Sequence, residues 1–326
     1  MGLHMRLKII GTGRYLPEKT ATNDDMAKLV ETSDEWISTR TGIKQRHLVS
    51  SPEENTTYMA TEAAKRALEN SGLKPEDIDV ILVATVSSDY ITPSTACMVQ
   101  RELGAFNAVS FDINAACAGF LYGLNTVDAY FRSGIYKTAI ISGVETLSKI
   151  VDWSDRSTCV LFGDGAGAVV AKADETGMLA CLQGSDGTHA DVLECKARSN
   201  NNPYVSTSKD FDYVFMNGQE VFKFAVRKVP ECLNQLLEKA NLTVNDVDYF
   251  LLHQANYRIL TSIAKKLNLP MDKFPSNVDQ CGNTSAASIP ILMDELNQQG
   301  VLKEGDLLFL SGFGAGLTWG AALLKW

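Results

Sequence analysis

Long apolar runs and an export signal are both missing from this sequence. A membrane-spanning helix needs roughly 18 consecutive apolar residues, and the apolar stretch Ile78–Val86 is long enough only for a buried strand. The first residues lack the charged-then-apolar order of a secretory signal. We therefore expect a cytoplasmic protein without a membrane partner. A natural start at Met5 would leave Gly2–His4 as an added segment.

Metal-binding and disulfide patterns are also missing. The chain has seven cysteines, an odd number, with no C-x-x-C pair and no zinc-ligand spacing. Free thiols in a reduced compartment are the simplest interpretation. We expect no metal ion and no permanently bound cofactor.

Positive charge is scarce as well. The formal net charge is -9, from 30 Lys and Arg against 39 Asp and Glu, whereas a nucleic-acid-binding protein needs a broad basic surface. Nucleic acid is therefore excluded as the main partner. With 326 residues, 45% apolar and 21% charged, the chain fits a globular protein of one or two closely packed domains.

Two stretches of the chain resemble each other and predict a duplicated architecture. Leu68–Ala84 (LENSGLKPEDIDVILVA) and Leu237–His253 (LEKANLTVNDVDYFLLH) each contain a helix end, a polar turn and an apolar strand. Further along, FGDGAGAV at Phe162–Val169 resembles FGAGL at Phe313–Leu317. Helix and strand segments alternate, which favours α/β layering.

The division between the two similar halves falls near Ala171–Met178. No low-complexity linker separates them, so we expect them to pack as one rigid body. The predicted units are residues 1–174 and residues 175–326.

Cys117 lies where a strand gives way to a helix. Val109, Phe111 and Ile113 alternate on one face before it, and an apolar stripe with helical spacing begins after Ala118. The stripe consists of Phe120, Leu121, Leu124, Val127 and Phe131 and is closed by Gly134. At a helix start, unpaired N–H groups and the helix dipole favour a thiolate. The position suits a nucleophile, but a buried structural cysteine is the commoner role and position alone does not decide.

Two further polar residues follow or precede regular elements in the same way. His253 ends the apolar run Tyr249–Leu252 and precedes an amphipathic helix, and catalytic groups commonly lie at the mouth of a buried strand. Asn283 lies in CGNTSAAS, a loop of small residues that leads into another helix. A structural histidine and a helix-capping asparagine are the alternative roles.

Together, Cys117, His253 and Asn283 indicate acyl-thioester chemistry. The same residue order occurs in papain-like cysteine proteases, which makes a cysteine hydrolase a rival interpretation. The C-G-[SA]-C-[WY] signature of those proteases is absent from the sequence, and they show no such duplication. The hydrolase interpretation is therefore the weaker one.

At these residues the chain resembles β-ketoacyl-acyl-carrier-protein synthase III of the thiolase superfamily, and the resemblance covers essentially the whole chain. The segments that carry it are TSDEWISTRTGI (Thr32–Ile43), DINAACAGF (Asp112–Phe120), FGDGAGA (Phe162–Ala168), HQAN (His253–Asn256), GNTSAAS (Gly282–Ser288) and TWGAAL (Thr318–Leu323). The resemblance implies a thiolase fold, in which two duplicated α/β halves form a five-layer α-β-α-β-α sandwich, usually assembled as a homodimer.

The resemblance also implies an activity. An acyl-coenzyme A primer would condense with malonyl-acyl-carrier-protein, releasing coenzyme A and carbon dioxide and initiating fatty acid synthesis. Cys117 would accept the acyl group, while His253 and Asn283 would donate hydrogen bonds to the malonyl thioester oxygen. Backbone N–H groups of Cys117 and Ala315 would form the oxyanion hole.

Three sets of binding residues follow from the same resemblance. Coenzyme A would contact Trp36, Arg40, Arg156 and Asn256; the acyl pocket would include Thr92, Leu147 and Phe162; and the carrier protein would dock on Lys223, Arg258, Lys265 and Lys266. Aromatic and guanidinium planes suit a flat base, and arginine suits phosphate. Basic side chains on an acidic chain suit an acidic carrier protein.

Two residues depart from well-known members of the family. Thr92 stands where a bulky aromatic residue often reaches across the dimer to close the partner's acyl pocket, so we expect primers longer than acetyl to be accepted. Ala315 replaces a loop glycine, which predicts a negative φ or a small strain.

Other functions within and outside the superfamily stay open at this point. Specialised relatives that condense other thioesters in polyketide, quinolone or hydrocarbon pathways can keep the same Cys-His-Asn set. A catalytically silent acyl-binding or scaffold protein is a weaker alternative, because it would not need all three residues.

Overall fold

The structure is a computed structural model that describes residues 5–197, 199–205 and 212–326. The segment Gly2–His4, discussed above as an added segment, lies outside the described residues. Within the described ranges, no helix is both long and apolar enough to span a bilayer.

From Met5 to Asp174 the described residues form seven strands and six α-helices. The strands are β1 (Arg6–Tyr15), β2 (Thr20–Thr22), β3 (Gln45–His47), β4 (Val80–Ala84), β5 (Val109–Ile113), β6 (Thr138–Glu145) and β7 (Gly165–Asp174). The helices are α1 (Asn23–Met26), α2 (Asp34–Thr41), α3 (Thr56–Ser71), α4 (Thr95–Leu103), α5 (Gly119–Ser133) and α6 (Arg156–Cys159).

Beyond Asp174 come six further strands and four helices in the described residues. The strands are β8 (Met178–Ser185), β9 (Leu193–Glu194), β10 (Phe215–Met216), β11 (Tyr249–Leu252), β12 (Leu307–Gly314) and β13 (Thr318–Lys325). The helices are α7 (Gly218–Ala240), α8 (Tyr257–Leu267), α9 (Val278–Cys281) and α10 (Ser288–Gln298).

The two large sheets share one pattern. The first has the order β1-β7-β6-β4-β5, and the second has the order β8-β13-β12-β11. In the first sheet β4 runs parallel to β6, and β7 runs antiparallel to β6 and β1. In the second, β11 runs parallel to β12, and β13 runs antiparallel to β12 and β8. Strand β5 is an additional edge strand that only the first sheet has.

The duplicated sequence stretches fold alike at the level of single hydrogen bonds. After α3 and after α7, a short 3₁₀ turn precedes the next strand, and the carboxylates of Asp77 and Asp246 accept hydrogen bonds from the backbone N–H three residues earlier. Two residues later, Asp79 accepts from Thr138 N–H at the start of β6, and Asp248 accepts from Leu307 N–H at the start of β12. The repeated D-x-D pattern therefore ties each parallel strand pair together at its start.

Three apolar clusters define five layers. One cluster joins α3 and α4 to the outer face of the first sheet. The second joins α5 and α10 to the inner faces of both sheets, and the third joins α7 and α8 to the outer face of the second sheet. The order is therefore α-β-α-β-α, which confirms the thiolase-fold prediction.

Helix α5 lies at the centre of the molecule. The apolar stripe predicted from the sequence is fully buried, with Phe120, Leu121, Leu124 and Val127 at 0% exposure. The helix ends at Gly134, which adopts φ 74°, a left-handed conformation that glycine reaches without a Cβ clash. The buried α5 and α10 bring the turns at their N-terminal ends together between the sheets.

Candidate active site

A cavity of about 1570 Å³ runs into the molecule from its surface and reaches Cys117. Cys117 comes from the turn before α5, His253 from the end of β11 and Asn283 from the loop before α10. All three line the cavity, together with Phe313 and Ala315 from the end of β12 and the loop that follows. The three residues singled out from separate parts of the sequence are therefore brought to one place.

Cys117 lies in a short 3₁₀ turn (Ala116–Ala118) immediately before α5, as the sequence predicts. The expectation that this position favours the thiolate is wrong for the free protein. Burial raises the pKa of the Cys117 thiol to about 12, and a hydrogen bond with Ser285 lowers it only in part. Desolvation of a charge in a site that is 9% exposed outweighs the helix end.

The backbone around Cys117 is held tightly by its neighbours. Ala116 adopts φ 46°, an unusual value for a residue with a Cβ. The Thr318 hydroxyl oxygen lies 2.9 Å from the carbonyl oxygens of both Ala115 and Ala315, and its single proton is shared between them, which joins the loop after β12 to the nucleophile turn. A Cβ on Gly314 would lie 2.6 Å from the Cys117 nitrogen.

Ala315 lies in the cavity wall beside this turn. The sequence predicts for Ala315 either a negative φ or a small backbone strain. Ala315 is not among the residues with positive φ, so the structure has the unstrained backbone. The loop therefore accommodates alanine without the conformation that glycine permits.

His253 is buried at 1% exposure and its ring packs edge-on against Phe313, with centroids 5.3 Å apart. Its Nδ1 lies 2.7 Å from the Ser288 hydroxyl oxygen, which also accepts from Gln254 N–H at 3.3 Å. Because the Ser288 oxygen accepts from Gln254 N–H, its own proton is available to Nδ1, an arrangement that goes with the His253 ring proton on Nε2. Burial lowers the pKa of His253 to about 3, so the ring is neutral near pH 7.

The Asn283 side chain is oriented by one backbone contact. Its Oδ1 accepts a hydrogen bond from Ser285 N–H at 2.9 Å, which leaves the Nδ2 protons for a group in the cavity. The residue does not cap α10, whose N-cap position is Ala287. Asn283 also forms a bridge with Phe162, and Gly163 N–H donates to its carbonyl at 3.0 Å. The amide is therefore anchored on both the main chain and the side chain.

A buried carboxylate lies behind this part of the cavity. Glu145, the last residue of β6, is 0% exposed and accepts from Ser87 Oγ at 2.6 Å, from Val86 N–H at 3.1 Å and from Ser285 Oγ at 3.2 Å. Burial raises its pKa to about 7 despite these donors. No basic side chain is among its hydrogen-bond partners.

The residues predicted to hold coenzyme A cluster around Trp36. The guanidinium carbons of Arg40 and Arg156 lie 4.7 Å and 4.8 Å from the centre of its ring. Trp36, Arg40 and Asn256 line the cavity, and Arg156 stands beside it. Asn256 also caps α8 by accepting from Arg258 N–H, and its Nδ2 donates to the Arg40 carbonyl.

Two of the three predicted acyl-pocket residues line the same cavity. Leu147 and Phe162 are buried in its wall. Thr92 is exposed and does not line the cavity of its own chain. Its neighbour Ile91 lines the cavity edge and is 94% exposed.

The predicted docking residues lie on α7 and α8, which pack against each other. Arg258, Lys265 and Lys266 are exposed on α8, and Arg258 lies at the cavity wall. Lys223 on α7 is exposed and pairs with Glu220 at 2.8 Å. Arg227 is a further exposed basic residue of α7, which the sequence analysis did not single out.

Sequence reasoning also missed the residues that support the site. Ser285 and Ser288 both lie in the GNTSAAS segment, and the contacts of Ser285 with Glu145 and of Ser288 with His253 depend on the three-dimensional arrangement. Glu145 carried a readable signal, because a charged residue ends an otherwise apolar strand. Among the described residues no group of three or more His, Cys, Asp or Glu could hold a metal ion.

Comparison with known proteins identifies relatives along the full chain. The family described as 3-oxoacyl-[acyl-carrier-protein] synthase III matches residues 111–187, and its C-terminal part matches residues 237–326. β-Ketoacyl-[acyl-carrier-protein] synthase III of Clostridium acetobutylicum is 52% identical over 326 residues, with 98% of each chain covered. β-Ketoacyl-[acyl-carrier-protein] synthase III 1 of Bacillus cereus is 49% identical, with 99% of each chain covered.

Solved structures agree with these relatives. The crystal structure of 3-oxoacyl-[acyl-carrier-protein] synthase III from Aquifex aeolicus is 47% identical, covers 98% of this chain and 100% of that one, and has a TM-score of 0.91. The crystal structure of a priming β-ketosynthase from the R1128 polyketide biosynthetic pathway is 34% identical and has a TM-score of 0.93. The match covers 100% of this chain and 98% of that one.

Proposed function

Since this chain belongs to the β-ketoacyl-acyl-carrier-protein synthase III family, we propose that Cys117, His253 and Asn283 are the residues with which it reacts. Members condense an acyl-coenzyme A with malonyl-acyl-carrier-protein in fatty acid synthesis, and this chain is an acyltransferase of that class. The observation that carries the residue assignment is the shared cavity, in which a thiol, a neutral imidazole and an oriented amide meet.

The first half-reaction is acyl transfer to Cys117. The sulfur attacks the carbonyl carbon of the acyl-coenzyme A, and the bond to the coenzyme A sulfur breaks. Backbone N–H groups of Cys117 and Ala315 stabilise the oxyanion that forms. The backbone at Gly314 runs so close to Cys117 that a Cβ there would lie 2.6 Å from the Cys117 nitrogen, and Cys117, Gly314 and Ala315 all line the cavity.

The second half-reaction is the condensation. His253 Nε2–H and Asn283 Nδ2–H donate to the malonyl thioester oxygen, which gains negative charge as carbon dioxide leaves. Because His253 is neutral, it donates without transferring its proton to the enolate. The enolate carbon attacks the acyl-cysteine, the carbon–sulfur bond to Cys117 breaks, and the 3-oxoacyl carrier protein departs.

Coenzyme A would enter along the Trp36 side of the cavity. The two guanidinium groups around Trp36 supply planar, positively charged partners for adenine and phosphate. The acyl chain would extend toward Leu147 and Phe162, which are apolar and buried.

A homodimer would involve the edge strand β5. Its edge has no strand partner within the described chain, and the surrounding surface exposes Phe106 at 74%, Val109 at 47% and Ile91 at 94%. Exposed apolar side chains beside an open strand edge are typical of a protein interface. Thr92 would then reach the partner's cavity. Sedimentation should give a dimer, and Val109→Lys should shift it toward monomer.

The chain would divide into two structural halves between β7, which ends at Asp174, and β8, which begins at Met178. Each half contributes one large sheet, with Cys117 in residues 1–174 and His253 and Asn283 in residues 175–326. The reacting groups meet only when both halves are folded together.

Intact-mass measurement of the acyl-enzyme tests the assignment. Wild type, incubated with acetyl-coenzyme A and with longer acyl-coenzyme A esters one at a time, should gain one acyl group, and Cys117→Ser should not. Malonyl-acyl-carrier-protein should discharge the adduct. Discharge only by a different extender would favour a specialised pathway, such as that of the polyketide priming enzyme. Absence of any adduct in the wild type would refute Cys117 as the nucleophile.

A further inference from the structure

The thiol proton of Cys117 has no evident acceptor among the three reacting residues. Burial raises the pKa of the thiol to about 12, so the thiolate is rare near pH 7 and the proton must be removed during acyl transfer. His253 is a weak base, because burial lowers its pKa to about 3. Its Nδ1 is also engaged by Ser288, and Asn283 carries no basic group.

Glu145 is an anionic group in direct reach of this site. Within the part of the chain that the structure describes, its carboxylate receives hydrogen bonds only from neutral donors, the hydroxyls of Ser87, Thr85 and Ser285 and the N–H of Val86. Buried carboxylates without a cationic partner are costly. Four hydrogen-bond donors therefore surround a carboxyl group that is 0% exposed, and such an arrangement stabilises its charge.

Ser285 lies between Glu145 and Cys117. Its hydroxyl donates to Glu145 Oε1 at 3.2 Å, and the Ser285 side chain lies close enough to the sulfur of Cys117 to influence the pKa of the thiol. The turn Ser285–Ala287 packs directly on the turn Ala116–Ala118. Ser285 holds this place with φ 49°, a conformation that costs free energy for a residue with a Cβ. Ser285 and Cys117 line the cavity, whereas Glu145 does not.

We propose that Glu145, acting through the hydroxyl of Ser285, accepts the proton of Cys117 during acyl transfer. The inference rests on the proposed function of Cys117 and extends it to two positioning residues. The pKa of Glu145, raised to about 7 by burial, suits a group that takes up and returns a proton near neutral pH.

The proton balance of the step is complete. The Cys117 proton passes to Ser285 Oγ as the Ser285 proton passes to Glu145, and the sulfur electron pair forms the bond to the acyl carbon. When the bond to the coenzyme A sulfur breaks, the coenzyme A thiolate takes a proton back from Glu145 by the same route. Acyl-enzyme and neutral coenzyme A thiol are the products, with Glu145 ionised again.

Among the described residues, the groups that donate hydrogen bonds to Glu145 include no titratable side chain. Strand β4 and the residues after it present Thr85, Val86 and Ser87, the turn before α10 presents Ser285, and the turn before α5 presents Cys117. Lys149, on the loop after β6, is paired with Asp89 at 2.9 Å. Any inflection of the acylation rate near neutral pH is therefore assigned to Glu145.

Rapid-quench measurement of acyl-enzyme formation from pH 5 to pH 9 tests the relay. The wild-type rate should rise tenfold per pH unit up to an inflection near neutral pH and then level off. Glu145→Gln should lower the rate at pH 7 by about 100-fold, in the range of general-base effects. Its rate should keep rising through pH 9, because only direct ionisation of the thiol remains.

Ser285→Gly is the second variant, since glycine adopts positive φ without strain and the hydroxymethyl side chain is lost without a strained backbone. It should reproduce the pH profile of Glu145→Gln. Both variants, acylated to completion at pH 9 beforehand, should lose far less rate in discharge by malonyl-acyl-carrier-protein than in acylation. A wild-type pH profile in Ser285→Gly or in Glu145→Gln overturns the relay. A wild type that forms no acyl-enzyme instead overturns the proposed function of Cys117.

Discussion

The hydroxyl oxygen of Ser288 lies 2.7 Å from Nδ1 of His253. This contact connects the first turn of α10 to the end of β11. We propose that the Ser288 hydroxyl donates to Nδ1, which holds the imidazole proton on Nε2 and so sets the ring atom that donates to the malonyl thioester.

Ser288→Ala should slow the decarboxylation half-reaction by about tenfold, because the imidazole then populates the tautomer with the proton on Nδ1. The rate of discharge of preformed acyl-enzyme by malonyl-acyl-carrier-protein measures the effect. Nitrogen-15 chemical shifts of His253 report the tautomer. Acylation by acetyl-coenzyme A is the internal control and should change little. A variant with normal discharge and a mixed tautomer would contradict this role.

His253 should make the protein less stable as the pH falls. Its folded pKa is lowered to about 3 from 6.5, so below pH 6.5 the unfolded chain binds a proton that the folded chain does not. The contribution of neutral His253 to the free energy of unfolding is fully present above pH 6.5. It falls by about 1.4 kcal/mol per pH unit between pH 6.5 and pH 3. Urea unfolding at pH 8 and pH 5 should show a shallower loss for His253→Gln than for wild type. Equal losses would contradict a buried neutral ring.

Gly314→Ala should lower the acylation rate by about 100-fold, comparable to loss of one oxyanion-hole donor. The new Cβ would meet the Cys117 nitrogen at 2.6 Å and the Cys117 Cβ at 3.2 Å, so the nucleophile turn must shift. Gly187→Ala is the matched control, since a Cβ there meets nothing within 4 Å. Rapid-quench intact mass measures both. Normal acylation in Gly314→Ala would show that the N–H position is not critical.

Arg258→Glu should raise the KM for malonyl-acyl-carrier-protein about tenfold while acylation by acyl-coenzyme A changes much less. The side chain is exposed at the cavity mouth beside the basic positions of α8, and a reversed charge repels an acidic carrier protein. Added salt should narrow the difference between variant and wild type. Lys74→Glu makes the same charge change at an exposed position outside the cavity lining and should behave as wild type.

Thr92→Phe should abolish acylation by octanoyl-coenzyme A and retain acylation by acetyl-coenzyme A. In the proposed dimer, a phenyl ring at this exposed position would fill the end of the partner's acyl pocket, whereas threonine would leave space there. Wild type should accept both primers, as intact mass would show. Strict acetyl preference in the wild type, or octanoyl transfer retained in the variant, would contradict the assignment of Thr92.

The sequence alone predicted the fold, which the structure confirms, and the proposed reacting residues, because both leave local signatures. The duplicated helix–turn–strand stretches at Leu68–Ala84 and Leu237–His253 indicated two similar halves, and the structure repeats them down to Asp79 and Asp248. Cys117 and His253 were recognisable because each stands at a junction between elements. Such junctions are visible as changes in apolar period.

Tertiary structure decided the electrostatics and the supporting contacts. The helix start predicted a thiolate at Cys117, but burial between two sheets raises the pKa of that thiol instead. Ser285, Ser288 and Glu145 act across separations of 35 residues or more along the chain. Desolvation and long-range hydrogen bonds depend on which residues the packed layers bring together, and no local pattern of residues carries that information.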